Sequence, residues 1–214
     1  MSLSRSIIFV CLPTLSDKKY FSLVNQLFPE QFRPAVDSTE QLARLTSGSV
    51  LLAREVLQDP NFDATVVLIC IHGDEGSYGL VLNRISHMPL SEIFEGISGA
   101  NRAREVLIGG PVQQNELQVL EITENPAEGA YPIDSGVYMG GKWNDISGMI
   151  DSNPSTTRLF LGYSGWGPGQ LASEIQLGAW AVFTVDIKQL VKNCHVLAGA
   201  DTTAITSFLE SISI

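Results

Sequence analysis

A chain of 214 residues with 44% hydrophobic and 17% charged side chains is long enough for one well-buried core. Thirteen basic against twenty-three acidic residues give a net charge of -10, a field that repels phosphate backbones and anionic lipid surfaces and so disfavours nucleic acid and membranes as partners. Cys11, Cys70 and Cys194 are odd in number and far apart, which supplies neither a metal spacing nor a disulfide framework and fits a reducing cytoplasm, with no metal or cofactor expected.

The apolar run Ile7 to Leu12 ends at Pro13, too short for a signal-peptide core, and no stretch approaches the roughly 20 apolar residues that span a bilayer. Residues 1–46 read as an N-terminal extension, packed on or swapped from a core domain at 47–214. It holds a short strand at Ile7 to Leu12, a helical pattern at Phe21, Val24, Leu27 and Phe28, and a helix capped by Ser38 or Thr39 and running through Leu45. Three strands are predicted next, at Ser49 to Arg54, Thr65 to Ile71 and Tyr78 to Arg84. The polar turn Gly73 to Ser77 makes the last two a hairpin. Thr65 to Ile71 shows no polar alternation after its threonine, the mark of a central strand covered on both faces.

Leu90, Ile93, Phe94 and Ile97 predict an amphipathic helix over one face of that sheet. Strands follow at Glu105 to Ile108 and Leu117 to Ile122, on either side of a break at Gly109-Gly110-Pro111-Val112. Shorter ones are predicted at Val137 to Met139 and Leu159 to Leu161, with a helical segment near Asp145 to Ile150 between them. The decapeptide Gly162 to Leu171 holds four glycines, a proline and two aromatics. It reads as a strand that breaks over glycines into a helix with Pro168 in its first turn, a place where ligands commonly sit. A last strand at Ala179 to Val185 and helical patterns at Ile187 to Val191 and Thr202 to Ile212 close the chain. Strands and helices mix without a βαβ rhythm, which predicts an α+β fold.

Three blocks carry a resemblance. The first is Leu51-Leu52-Ala53, then Gln58 to Phe62, then Thr65 to Leu68 leading through His72 and Gly76 to Gly79-Leu80-Val81-Leu82-Asn83-Arg84. The second is Gly109 to Gln113, and the third is Gly162 to Leu171 with Glu174 and Trp180. In that order and spacing the chain closely resembles the YqgE/AlgH family of bacterial proteins over roughly residues 47 to 185. The resemblance implies an α+β domain whose branched mixed β-sheet curls into a pseudo-barrel with peripheral helices. It implies little about activity, because the family's association with transcriptional control of exopolysaccharide synthesis does not establish DNA binding. Glu55, Ala64, Ile71, Ile85 and Glu121 depart from the family's usual residues, removing polar or basic groups that a shared chemical step would need.

Ser164 sits where a hydrolase nucleophile elbow would place its serine, but the second glycine of G-x-S-x-G comes one residue early and Trp166 takes its place. Gly136 to Lys142 has phosphate-loop spacing, yet Trp143 stands where a magnesium-ligating hydroxyl belongs. His72, Asp74 and Glu75 lack the spacing of placed metal ligands and read as a solvated turn. No catalytic residue is assigned. Asp59, Asn83, Arg84, Gly109, Gly110, Ser164, Gly165, Trp166, Gly169 and Gln170 are the ligand-binding candidates. They are expected to meet around one rim, where Arg84 and the amides of Gly169 and Gln170 would suit a carboxylate or phosphate. The bland alternatives are that Arg84 pairs with an acid such as Glu174 and that the glycines permit close packing of strands. Trp180 is read as a core anchor and Trp166 as the more exposed indole. The chain is thus expected to be a non-enzymatic regulatory protein binding an unknown small molecule or protein, the alternatives being an enzyme on a small anionic substrate and, weakest, a DNA-binding regulator.

Overall fold

The computed structural model describes residues 38–55, 57, 59–93, 102–142, 148, 150 and 156–214. Its strands are β1 (Val50–Ala53), β2 (Val66–Gly73), β3 (Gly76–Val81), β4 (Ile85–Pro89), β5 (Glu105–Ile108), β6 (Val112–Ile122), β7 (Tyr131–Asp134), β8 (Val137–Met139), β9 (Thr157–Trp166) and β10 (Trp180–Phe183). The helices are α1 (Ser38–Ala43), α2 (Leu90–Ile93), α3 (Gln170–Gln176), α4 (Ile187–Asn193) and α5 (Thr202–Ser211), with a 3-10 turn at Cys194–Leu197.

The sheet runs β10-β1-β2-β3-β9-β6-β8-β7 and branches at β9, which also takes β5 as a parallel neighbour, while β4 pairs with β5. The other pairings are antiparallel. This is an α+β fold with a branched, mostly antiparallel sheet. Its path is open, because β10 and β7 stand at the two ends and do not pair with each other.

Alternation along the central strands builds two cores. Val50 and Leu52 of β1, with Val66, Leu68 and Cys70 of β2, face one core, closed by Ile187, Leu190 and Val191 of α4 and Ile205 and Leu209 of α5. Leu51 and Ala53, with Val67 and Ile69, face the other, closed by Leu171 and Ile175 of α3 and the aromatics Phe62, Trp166 and Trp180. Each such fully buried aliphatic side chain contributes about 1.5–3 kcal/mol. A third cluster joins Leu90, Val106, Val119, Ile150 and Leu159. Residues 38–45 belong with the second core, since Leu42 and Leu45 pack against it and Gln41 Oε1 accepts from the Val182 backbone N–H on the open side of β10.

The central position predicted for Thr65 to Ile71 holds, because Val66 to Cys70 are all buried. Several boundaries move. The hairpin turn shrinks to Asp74-Glu75, since Gly73 and Gly76 are already paired. The short strand predicted at Leu159 to Leu161 extends from Thr157 to Trp166, and the strand predicted from Leu117 begins at Val112. Gly162 and Gly165 therefore stay within the strand, and the break into α3 comes only at Gly167-Pro168-Gly169. Ser164, Gly165 and Trp166 remain paired with Gly79, Tyr78 and Ser77. Pro168 lies ahead of α3 rather than in its first turn, the N-cap being Gly169 at φ 68, a left-handed position that glycine takes at no steric cost. Helix α1 ends at Ala43, two residues short of the predicted Leu45. Strands β4 and β7 answer to no predicted element. Of the helix predicted at Leu90 to Ile97, residues Leu90–Ile93 are helical, and the remainder lies outside the described residues. So do the predicted elements between residues 7 and 28, Trp143, and most of Asp145 to Ile150. No helix among the described residues is long and apolar enough to cross a membrane.

Candidate functional site

Helix α3 carries Leu171 and Ile175 at apolar spacing, and Glu174 lies on that same buried face. A carboxyl removed from water must be met by donors. The indole N–H groups of Trp166 and Trp180 both donate to Glu174 Oε2, at 2.9 and 2.8 Å, and the Gln170 amide donates to Oε1 at 3.0 Å. Burial pushes the Glu174 carboxyl above its usual range, the three hydrogen bonds from Trp180, Gln170 and Trp166 pull it back, and the Asp59 charge raises it further.

The indoles are set by their strands: Trp166 ends β9, and Trp180 opens β10. They meet edge to face at 6.0 Å, and Phe62 stands edge-on to Trp180 at 5.4 Å, geometry favoured by the ring quadrupoles. Leu57, Asp59, Phe62, Gly165, Trp166, Gln170, Glu174 and Trp180 line a recess of about 10 Å³, room for roughly one water molecule. Asp59 is buried, and its Oδ1 accepts from the backbone and side-chain N–H groups of Asn61 at 2.9 and 3.0 Å. Gln170 Oε1 accepts from the Gly167 N–H at 3.1 Å, tying the turn to the helix.

Four of the ligand-binding candidates therefore share the recess: Asp59, Gly165, Trp166 and Gln170. Gly169 adjoins it as the N-cap of α3. The others are engaged beside it. Asn83 joins two chain segments, its Oδ1 accepting from the Val66 N–H at 2.9 Å and its amide donating to the Ala64 carbonyl at 2.9 Å. Arg84 donates to the carbonyls of Asp63 at 2.8 Å and Pro60 at 3.4 Å, so its contact is with the loop carrying Asp59 and not with Glu174. Gly109 and Gly110 lie where β5, β6 and β9 converge, and a Cβ on Gly110 would stand 2.3 Å from the Tyr163 carbonyl. Close packing explains that glycine. Ser164 is fully buried, and its hydroxyl donates to the Gly109 carbonyl at 3.1 Å, a structural bond in place of a nucleophile's exposure. Trp166, read from sequence as exposed, is only 6% accessible, because the strand runs on through the glycines and carries the indole into the second core.

Two features escaped the sequence reading. The first is the role of Glu174, signalled by an acid on the apolar face of a helix and by its spacing of four from Gln170. The second lies at the other end of β9, where Arg104 and Arg158 come together. Among the described residues no group of His, Cys, Asp and Glu is arranged to hold a metal ion.

The comparisons agree with the motifs. A family profile described as DUF179, AlgH-like, matches residues 50–197. A UPF0301 protein of Chlorobium chlorochromatii is 39% identical over 145 residues, covering 65% of this chain and 75% of the relative. Another, from Chlorobaculum tepidum, is 38% identical over 152 residues, covering 69% and 79%. Among solved structures, the solution structure of the AlgH protein from Pseudomonas aeruginosa matches with a TM-score of 0.57 at 24% identity, covering 75% of this chain and 93% of that one. At that identity it speaks for the fold. A crystal structure of a Corynebacterium diphtheriae protein matches with a TM-score of 0.54 at 25% identity, covering 64% and 75%. With its profile matched over most of the chain, and with the three sequence blocks lying on β1–β3, the β5–β6 junction and the β9–α3 turn, the chain belongs to the AlgH-like family.

Proposed function

We infer that this is a non-enzymatic regulatory protein that recognises a small molecule or a protein partner over the rim where residues 59–62 meet Gly165 to Gln170. The observation that carries this reading is how the polar groups of the recess are already used. The lone pairs of Glu174 accept from two indoles and an amide, and the Ser164 hydroxyl is spent on the Gly109 carbonyl. A general base or nucleophile has to present those atoms to a substrate. Asp59, whose Oδ1 is held by Asn61, lines the recess beside an aromatic floor and the Gln170 amide, an arrangement suited to recognition. Arg84, Asn83, Gly109, Gly110, Ser164 and Gly169 serve to hold that rim in place.

The Asp59 carboxylate lining the recess repels an anion, and the Glu174 carboxyl beside it offers an anion no donor of its own beyond those already spent, so the ligand here carries hydrogen-bond donors or positive charge. That speaks against the enzymatic alternative with a small anionic substrate at this rim. The curl of the branched sheet into the family's pseudo-barrel belongs to the same reading, with β9 as the strand about which it turns. Buried, unpaired Cys70 and Cys194 are in keeping with a cytoplasmic location.

Trp166 and Trp180 floor the recess, which makes intrinsic fluorescence the natural reporter. Titration with a panel of amines, amino acids and polar metabolites is expected to give a saturable change in tryptophan emission that Asp59→Asn and Gln170→Ala weaken by about tenfold each. Turnover of any panel compound, or a saturable change that both variants leave untouched, overturns the assignment.

A further inference from the structure

Asp59 is buried, and both donors from Asn61 go to its Oδ1, so that among the described residues nothing meets its Oδ2. A carboxylate accepts through both oxygens, and a buried one with an oxygen to spare is incomplete. No cationic side chain among the described residues compensates its charge. The ion pairs there join Arg44 to Glu40, Lys142 to Glu128 and Lys188 to Glu124. Arg84, the cation of the same loop, turns to the carbonyls of Asp63 and Pro60. Glu174 stands near enough to feel the Asp59 charge, and among the described residues its Oε1 accepts only from Gln170, which leaves that oxygen a lone pair. Two carboxyl oxygens with accepting capacity therefore belong to residues that line one recess.

The volume of the recess, about 10 Å³, matches roughly one water molecule. It admits the tip of a slender chain and excludes a ring or a methylated ammonium. A methyl tip leaves both oxygens unmet, and a hydroxyl tip donates once and brings no charge to Asp59. A primary ammonium donates three times, carries the missing charge and is compact. The walls favour it as well. The N–H edges of Trp166 and Trp180 are spent on Glu174 Oε2, so they do not confront a cation, and aromatic faces such as those of Phe62 and the two indoles attract one. Exposed Pro60 and Asn61 follow Asp59, and exposed Pro168 and Gly169 precede Gln170, so the recess lies beneath loops that reach solvent. The net charge of -10 draws cations toward the whole surface.

The geometry points to a socket for a primary ammonium at the end of an unbranched alkyl chain, with Asp59 Oδ2 and Glu174 Oε1 accepting its N–H groups. This rests on the rim reading and narrows it to one chemistry, shared by a lysine side chain and a small aliphatic amine. The purified full chain is to be titrated by calorimetry at constant ionic strength with n-butylammonium, n-butyltrimethylammonium, n-butanol and Nα-acetyl-lysinamide. The primary ammonium should bind saturably, and both the trimethylated head, which is too large, and the alcohol, which lacks charge, at least about tenfold more weakly. Asp59→Asn keeps an acceptor for Asn61 and removes the charge, so it should weaken n-butylammonium about tenfold and leave n-butanol within about twofold. Tighter binding of Nα-acetyl-lysinamide than of n-butylammonium assigns the socket to a lysine of a protein partner, and the reverse order to a free amine. Absence of saturable binding by n-butylammonium, equal affinity for either butyl analogue, or unchanged affinity in Asp59→Asn overturns the socket. If circular dichroism shows that Asp59→Asn does not fold, the comparison of the butyl compounds on the parent chain decides alone. The rim reading fails separately. An uncharged compound that changes tryptophan emission through Asp59 and Gln170, while n-butylammonium does not bind, removes the ammonium and leaves the rim, whereas silence from every compound removes both.

Discussion

The two ends of β9 treat charge in opposite ways. At its C-terminal end, Trp166 helps to seal an acidic group within a recess of about 10 Å³. Roughly 25 Å earlier along the strand, Arg158 helps to line a cavity of about 320 Å³. The contrast lies in the partners. Glu174 is met by side chains that are themselves large and apolar, so satisfying its hydrogen bonds also fills space. The arginines count backbone carbonyls among their partners, which anchor the guanidinium groups by the main chain. The closed end is thus filled by the groups that satisfy its acid and presents only its rim, whereas the described residues at the other end leave a larger volume between them.

The largest effect should appear when that difference is tested by truncation. Glu174→Ala leaves two buried indole N–H groups without their acceptor, at about 1–3 kcal/mol each, and is expected to lower unfolding stability by roughly 3–5 kcal/mol in urea titrations. His195→Ala, at an exposed position of the open end, should stay within about 0.5 kcal/mol of the parent. Equal losses at the two ends would erase the distinction.

Glu174 also makes the closed end sensitive to pH. Its folded carboxyl titrates above the ordinary value of 4.5, so the folded state holds the proton more tightly than the unfolded chain. The resulting stabilisation is full below that ordinary value and is lost as pH rises through the folded one. Glu174→Gln keeps an acceptor for the indoles and removes the titration. Its stability should therefore decline less than the parent's as pH rises above 4.5, as read from urea midpoints. Parallel curves would mean that the carboxyl is not the buried, proton-retaining group described here.

The junction that keeps the two ends in register depends on backbone contact. A Cβ at Gly110 would stand 2.3 Å from the Tyr163 carbonyl and 2.4 Å from Ser164 Oγ, and the backbone atoms cannot yield without shifting a strand. Gly110→Ala is expected to cost at least about 2 kcal/mol, with a lowered melting temperature and a perturbed tryptophan emission. A variant as stable as the parent would show that β5 and β6 can part from β9 freely.

How much of this was legible depended on the distance over which each signal acts. The unbroken apolar run of Val66 to Cys70 reports its own burial, so the central strand could be read directly. The decapeptide reported high glycine content without saying why. Glycine serves both sharp turning and close approach, and within β9 the second use prevails: Ser164 and Gly165 stay paired with β3 while Gly109 and Gly110 press against the strand. Taking the glycines as a break moved Trp166 from core to surface. Asp59, Gly165, Trp166 and Gln170 were singled out from sequence and share one recess, because motif residues gather where chain segments meet. Arg104 and Arg158 were not, since they are brought together by a parallel pairing to which no local pattern points.

The smallest expected effect lies beside the closed end. Tyr78 pairs with Gly165 across β3 and β9, and its ring stacks on Tyr163 at 4.5 Å with 20° between the planes. Its hydroxyl is shut off from solvent without a hydrogen-bond partner, and burial, with smaller contributions from Cys70, Tyr163 and Glu116, pushes its ionisation upward. A buried polar atom left unpaired is a cost that the stacking has to outweigh. Tyr78→Phe keeps the ring and deletes that atom, so it should raise stability by about 1 kcal/mol, seen as a higher urea midpoint at unchanged slope. A loss instead would mean that the hydroxyl is satisfied in solution, and that water reaches the strand beside the very recess whose tightness separates one end of β9 from the other.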